Sequence, residues 1–237
     1  MPDIDTTAPR RAWIALRIGI VIFGCGTVLM SGSYFALAWF IDALLIEGRD
    51  IADSEQIGAM IDAATMSAVV LFFGGFLLSA VSYGFFYFRA MTLARQLEPE
   101  HATVSAHGMW WWYAVPFANL WKPLEGVMQV WRALRTHAGL DPAVPWVFGL
   151  WWSIWVVGSF ILKVVDRVHP GADIDSAIHT VPADALGYLQ WKALGVPVHL
   201  VSAIALWWIS ARIYAAHSAA PVIAASEPVP GDAQPAV

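Results

Sequence analysis

The chain has 237 residues, of which 59% are hydrophobic and only 13% charged. With a mean hydropathy of +0.61 it is far more apolar than a water-soluble domain of this length, so it reads as an all-α integral membrane protein. Its 13 basic and 18 acidic residues leave a net charge of −5, and no basic run is long enough to neutralise several phosphates, which excludes nucleic acid as a partner.

In chain order, residues 18–41 are uncharged over 24 positions. A helix needs about 20 to cross roughly 30 Å of hydrocarbon. Arg10 and Arg11 precede this run as they would in a signal peptide, but it is too long and lacks a small-residue cleavage site, so it stays as span one. The single cysteine, Cys25, lies within it, excludes an internal disulfide, and reads as a small buried hydrophobe. Residues 47–62 turn polar and acidic and read as a short exposed loop. A second uncharged run, 63–88, continues as helix past Arg95 until Pro99 stops it. Span three is residues 144–162, between Asp141 and Lys163, and span four is 193–211, between Lys192 and Arg212. With their flanks, the four helices are expected over about 14–44, 63–95, 144–166 and 186–215, in a single membrane domain 1–218. The Ala- and Pro-rich tail 219–237 has little to bury and reads as disordered.

Residues 102–121 are also uncharged, for 20 positions, and length alone would allow a fifth span. Charge asymmetry opposes it. With four spans and the N-terminus inside, the inner segments hold Arg10, Arg11, Arg17, Arg89, Arg95, Lys122, Arg132, Arg135 and Arg212, nine of the 13 basic residues. The outer segments hold Arg49, Lys163, Arg167 and Lys192, which is the positive-inside pattern. Pro116 removes a backbone donor, and Asn119 would carry an unpartnered amide into lipid. Trp13, Tyr83, Tyr87, Trp146, Trp207 and Trp208 fall near the inner ends, and Tyr34, Trp39, Tyr188 and Trp191 near the outer ones. On that frame Trp110, Trp111, Trp112 and Trp121 belong to the inner aromatic belt.

From Pro123, which suits a first helical turn, Leu124, Val127, Met128, Trp131 and Leu134 recur at helical spacing opposite Glu125, Gln129, Arg132 and Thr136. Residues 106–138 therefore read as an inner-face amphipathic segment, interfacial or short re-entrant. Its apolar stripe fits lipid, with Trp131 anchored and Arg132 and Arg135 at anionic headgroups, and fits equally the side of the bundle.

The run "FYFRAMTLARQL" followed by "SAHGMWWWYAVPFANLWKPLEGVMQVWRAL" resembles the bacterial membrane-protein family of domain of unknown function 4328. The residues that carry the likeness are Phe88 with Arg89, Trp110 to Trp112, Pro116, Asn119 with Leu120, Pro123, and Trp131 with Arg132, and it extends over about residues 66–215. The resemblance implies a multi-span membrane protein and supplies no activity. Together with Lys122, these residues mark the expected interaction surface.

His199 lies within span four beside Pro197, at a depth where an ionisable group is costly, and reads as a neutral, hydrogen-bonded histidine ahead of a proton relay or cofactor ligand. His169, Asp173, Asp175 and His179 are metal-ligand types in the outer loop, where a short helix begins near Asp175, but they match no motif and read first as solvated or capping residues. Small residues at four-residue spacing (Thr27 and Ser31, Gly75 and Ser79, Ala80 and Gly84, Gly149 and Ser153) read as close helix packing. No cofactor is expected. The resulting expectation is a non-enzymatic scaffold or regulatory protein of the bacterial inner membrane, with both termini cytoplasmic. Its partners are anionic lipid and a membrane protein or second copy. The alternatives are a small transporter or channel component, and a membrane enzyme with a metal or lipid substrate.

Overall fold

A computed structural model describes residues 7–46, 54–113, 115, 117–168 and 182–226. Among the described residues all regular structure is helical. The helices are α1 (Thr7–Ile41), α2 (Ser54–Leu97), the single-turn α3 (Gly108–Trp111), α4 (Lys122–His137), α5 (Val147–Val168) and α6 (Pro182–Ser226). A π-type turn, Asp42–Ile46, closes α1, and a 3-10 turn, Ala118–Leu120, precedes α4.

Among the described residues, three helical stretches are long and apolar enough to cross a membrane: Pro9–Leu44, Ser54–Leu97 and Leu186–Ala219. A shorter apolar stretch, Val147–Phe160, lies in the 22-residue α5. As expected, α2 runs on past Arg95 and stops at Leu97, before Pro99. Its start differs. Residues 54–62 are helix rather than loop, because Ser54 opens the helix, Glu55 complements its N-terminal dipole, and Ile57 and Ile61 fall on one face. The far end of α6 reaches Ser226, beyond Ala219 where the sequence suggests the tail begins. Residues 102–121 form no continuous helix among the described residues, only α3 and the 3-10 turn.

The chain packs as two compact units, one of Ile14–Ser82 with Trp146–Trp207, the other of Met1–Trp13, Tyr83–Pro145 and Trp208–Val237. The first is a bundle of antiparallel neighbours. A Cβ added at Gly19 would fall 2.7 Å from the Ser79 nitrogen, and those at Gly26 and Gly75 would strike the backbones of Phe72 and Phe23. Ascending α1 therefore meets descending α2, backbone against backbone, at intervals of two turns. The rings of Phe23 and Phe72 fill the space beside these glycines, with centroids 4.8 Å apart. The opposite side of α1 meets α6 in the same sense. Ser31 Oγ donates to the Ala193 carbonyl at 2.7 Å, Gly24 faces Leu200, and the Arg17 guanidinium lies 4.6 Å from the Trp207 ring centre. Helix α5 pairs with α6 through Ser202 Oγ, which donates to the Trp151 carbonyl at 3.4 Å, and through Gly158 against Val198. It also stacks Trp155 on Phe76 of α2 at 6.1 Å. Within this unit the four segments alternate in direction along the chain.

Two small-residue expectations need correction. Gly149 has open space within 4 Å, so no close helix packing accounts for it. Cys25 is exposed rather than buried, since in a helix apolar on every side periodicity carries no signal about facing.

Candidate functional site

The signature residues gather in the second unit, whose core is built from the ends of the long helices. Phe86 and Tyr87 of α2 and Ile209 and Ile213 of α6 are fully buried. Trp13 stacks on Tyr214 at 5.6 Å and packs against Phe86 at 5.8 Å. The Tyr87 hydroxyl and Ser210 Oγ share a hydrogen bond of 3.0 Å. Trp13, Tyr83 and Tyr87 are thus core residues here, buried against protein rather than presented outward as belt anchors.

Onto this core the sequence lays a connecting segment whose seats are glycines. Trp110 packs flat where Gly84 lacks a side chain, since a Cβ there would fall 2.5 Å from its ring, and Phe85 meets it edge-on at 5.3 Å. Gly126 of α4 likewise admits Met109, and Gly108 admits Trp112. His107 rests edge-on against Phe88 at 5.2 Å. Tyr113 meets Tyr83 edge-to-face at 5.7 Å, and desolvation of its phenol raises its pKa above the ordinary value.

Trp111, and the chain beyond Tyr113, turn outward. Trp111 is 69% exposed and Phe117 77%, and Val115, Leu120 and Trp121 are exposed as well. Phe117 has a backbone φ of 64°, the one non-glycine with positive φ among the described residues. A bulky residue there is strained, by about 1–3 kcal/mol. Asn119 sits in the following 3-10 turn with its Oδ1 buried and unpartnered, as is Trp112 Nε1. The bend expected from Pro116 and Asn119 falls at Phe117–Trp121; Pro116 itself lies outside the described residues.

Helix α4 settles which way its stripe faces. Val127, Val130, Trp131, Ala133 and Leu134 are buried in the protein, whereas Leu124 and Met128 are only half-buried. Trp131 is therefore no lipid anchor. It donates from Nε1 to the Ala143 carbonyl at 3.0 Å, stacks on Trp208 at 6.1 Å, and carries the Arg135 guanidinium 4.7 Å from its ring centre. Arg135 also donates to the Asp141 carbonyl, which leaves Arg132 and Arg89 as the exposed signature cations. Pro123 is buried in the first turn, and Lys122 bridges to Glu125 at 2.7 Å. The helix ends at Gly139, φ 64°, where Leu140 N–H returns to the Arg135 carbonyl and Gly139 N–H to that of Thr136.

Two polar hubs carry no motif that sequence reading could have caught. Gln129 accepts from Val104 N–H at 2.8 Å and donates to Thr103 and Glu125. Glu98 lies 3.6 Å from His101 and 3.8 Å from His137. Both tie residues 98–104 to α4 across separations of 25 residues or more, beyond the reach of periodicity. His199 belongs to the helical bundle, edge-on to Trp155 at 6.4 Å, with a buried, unpartnered Nδ1 in place of the expected hydrogen bond. His169, Asp173, Asp175 and His179 lie outside the described residues.

A family model described as a domain of unknown function, DUF4328, matches residues 49–198. The chain belongs to the DUF4328 family. Searches of curated proteins and of solved structures find no match. The DUF4328 match takes in α2, the glycine-seated connecting segment, α4 and α5, and so includes every signature residue placed above.

Proposed function

We propose that this DUF4328 protein crosses a bacterial inner membrane four times, through α1, α2, α5 and α6, with both termini cytoplasmic, and serves there as a non-enzymatic scaffold or regulatory protein. Residues 1–218 act as one membrane domain. The 22 residues of α5 extend about 33 Å, enough for the roughly 30 Å hydrocarbon core. Alternating helix directions and the positive-inside distribution support the same topology. Phe117 carries the functional reading. It is a strained aromatic held outward between Trp111 and Trp121, and strain of that kind persists where the displayed side chain has something to touch. This edge, with Arg89 and Arg132, forms an inner-face surface for anionic headgroups and for a membrane-protein partner or second copy.

In a Cys25→Ala background, Arg135→Cys and Ser218→Cys should be shielded from an impermeant maleimide in intact cells, while Ser54→Cys reacts. Labelling at residue 135 overturns the topology. A photoreactive residue at Phe117 should capture one discrete protein in native membranes; capture no greater than from Val70 of α2 overturns the scaffold role.

A second reading, a small transporter, draws on the unpartnered Nδ1 of His199, an intramembrane ionisable group being a common mark of a solute path. It expects a flux in proteoliposomes that His199→Ala abolishes, and silence across a broad solute panel removes it.

A further inference from the structure

The connecting segment between α2 and α4 is seated on a part of α2 that carries no charge. His107 rests edge-on against Phe88 at 5.2 Å. Three residues on, Trp110 lies where Gly84 leaves room, with Phe85 edge-on to it at 5.3 Å. Phe88, Phe85 and Gly84 all fall inside the uncharged run 63–88, before Arg89. From His107 to Trp110 the chain therefore runs back along α2, away from its charged end, by four residues or about 6 Å. The Trp110 seat is five residues from Arg89, about 7.5 Å along the helix.

Three features select what surrounds this segment. No Asp, Glu, Lys or Arg occurs from Ala102 to Trp121, so its entry into hydrocarbon strips water from no such side chain, and His107 stays at the level of Phe88. The backbone supplies its own partners: the amides of residues 108–112 and 119–121 all donate to carbonyls between Ser105 and Ala118, which lipid demands of any backbone it encloses. The third feature is continuity. Phe85 is an exposed side chain of α2 and Trp110 touches it, so the medium that covers α2 at that level covers Trp110 as well. Trp111, Val115, Phe117 and Trp121 follow in the chain, all exposed.

We propose that residues 107–121 dip into the inner leaflet as a short re-entrant segment, with Trp110 below the headgroups and the edge of Trp111, Phe117 and Trp121 in contact with lipid. The proposal rests on the membrane-spanning reading and deepens it. With Arg89 at the water boundary, the seat of Trp110 falls within the roughly 5–10 Å to which interfacial aromatic faces sink past the headgroups. A protein that reaches Phe117 reaches it within the leaflet, through a membrane-embedded surface.

The test places a nitroxide on single cysteines in a Cys25→Ala background, with the full chain in vesicles of phosphatidylcholine and phosphatidylglycerol. It compares collisions with oxygen, which concentrates in hydrocarbon, against those with a water-soluble nickel chelate. The oxygen-to-nickel ratio at Val115→Cys and Phe117→Cys should exceed severalfold that at Glu100→Cys, in the exposed turn after α2, and fall below that at Val70→Cys, outward on α2. Trp111→Cys, in α3, repeats the measurement away from the strained Phe117. Nickel access at Val115 and Phe117 equal to that at Glu100 overturns the proposal, because the segment then lies in water. Poor access to both reagents with an immobilised spectrum also overturns it, because a second copy or another protein then covers the edge. If the label at Val70 is as open to nickel as that at Glu100, the membrane-spanning reading falls, and the proposal with it.

Discussion

Gly26→Leu is expected to abolish accumulation of folded protein, whereas Gly74→Leu leaves it near the native level. At Gly26 a Cβ would strike the Phe72 backbone, and at Gly75 that of Phe23. Overpacking against side chains costs about 1–3 kcal/mol because rotamers can shift. Here both colliding groups are helix backbone, so relief requires α1 and α2 to separate, with the loss of the Phe23–Phe72 contact and the rest of their interface. Each 1.4 kcal/mol is about tenfold in the folding equilibrium, so a cost above that range lowers the folded-to-unfolded ratio by more than about a hundredfold. Gly74, one residue from Gly75, and Gly32 have nothing within 4 Å. Fluorescence-detected size exclusion of solubilised membranes separates the outcomes. A monodisperse Gly26→Leu peak at native intensity would mean that α1 and α2 do not meet there.

Lipid-scale hydrophobicity made the long helices legible, because a run of 24 uncharged residues has few alternatives to a transmembrane helix. The same signal hid where they end. A long apolar helix that runs on into polar sequence keeps its backbone bonds, so Ser54–Asp62 and Arg95–Leu97 are helical though polar, and charge marks the edge of the apolar run rather than the end of the helix. Within an apolar helix the facing is equally hidden, which is why Cys25 reads as buried and is exposed. The site was legible as residue types and not as contacts. Pro123 opening α4 and the bend before it follow from local chemistry. The rotation of α4 does not, because it depends on Gly126 admitting Met109, which turns Val130 and Ala133 inward and leaves Met128 half out. Nor does Gly84 announce a Trp110 seat, since its spacing from Ala80 fits a helix neighbour just as well.

Trp131→Ala should destabilise the unit by about 3–5 kcal/mol, the range for emptying a buried aromatic site. At 3% exposed, Trp131 packs on the Trp208 ring, and its removal also takes the donor from the Ala143 carbonyl and strips the Arg135 guanidinium of its ring face. Trp131→Phe separates these contributions. It keeps most of the volume and loses the Nε1 bond to the exposed Ala143, so the lost bond should cost about 0.5–1.5 kcal/mol. Trp111→Ala and Arg132→Ala, on outward side chains, should stay within about 0.5 kcal/mol. Thermal unfolding in detergent, followed by near-ultraviolet circular dichroism, reads the ranking directly. The ranking also divides the family signature. If Trp131 is structural and Trp111 is for contact, capture of a partner from Phe117 should fall with Trp111→Ala at unchanged stability. It should fall with Trp131→Ala only to the extent that the unit unfolds. Equal destabilisation by Trp111→Ala and Trp131→Ala would place both tryptophans in the core and leave no outward aromatic edge to present.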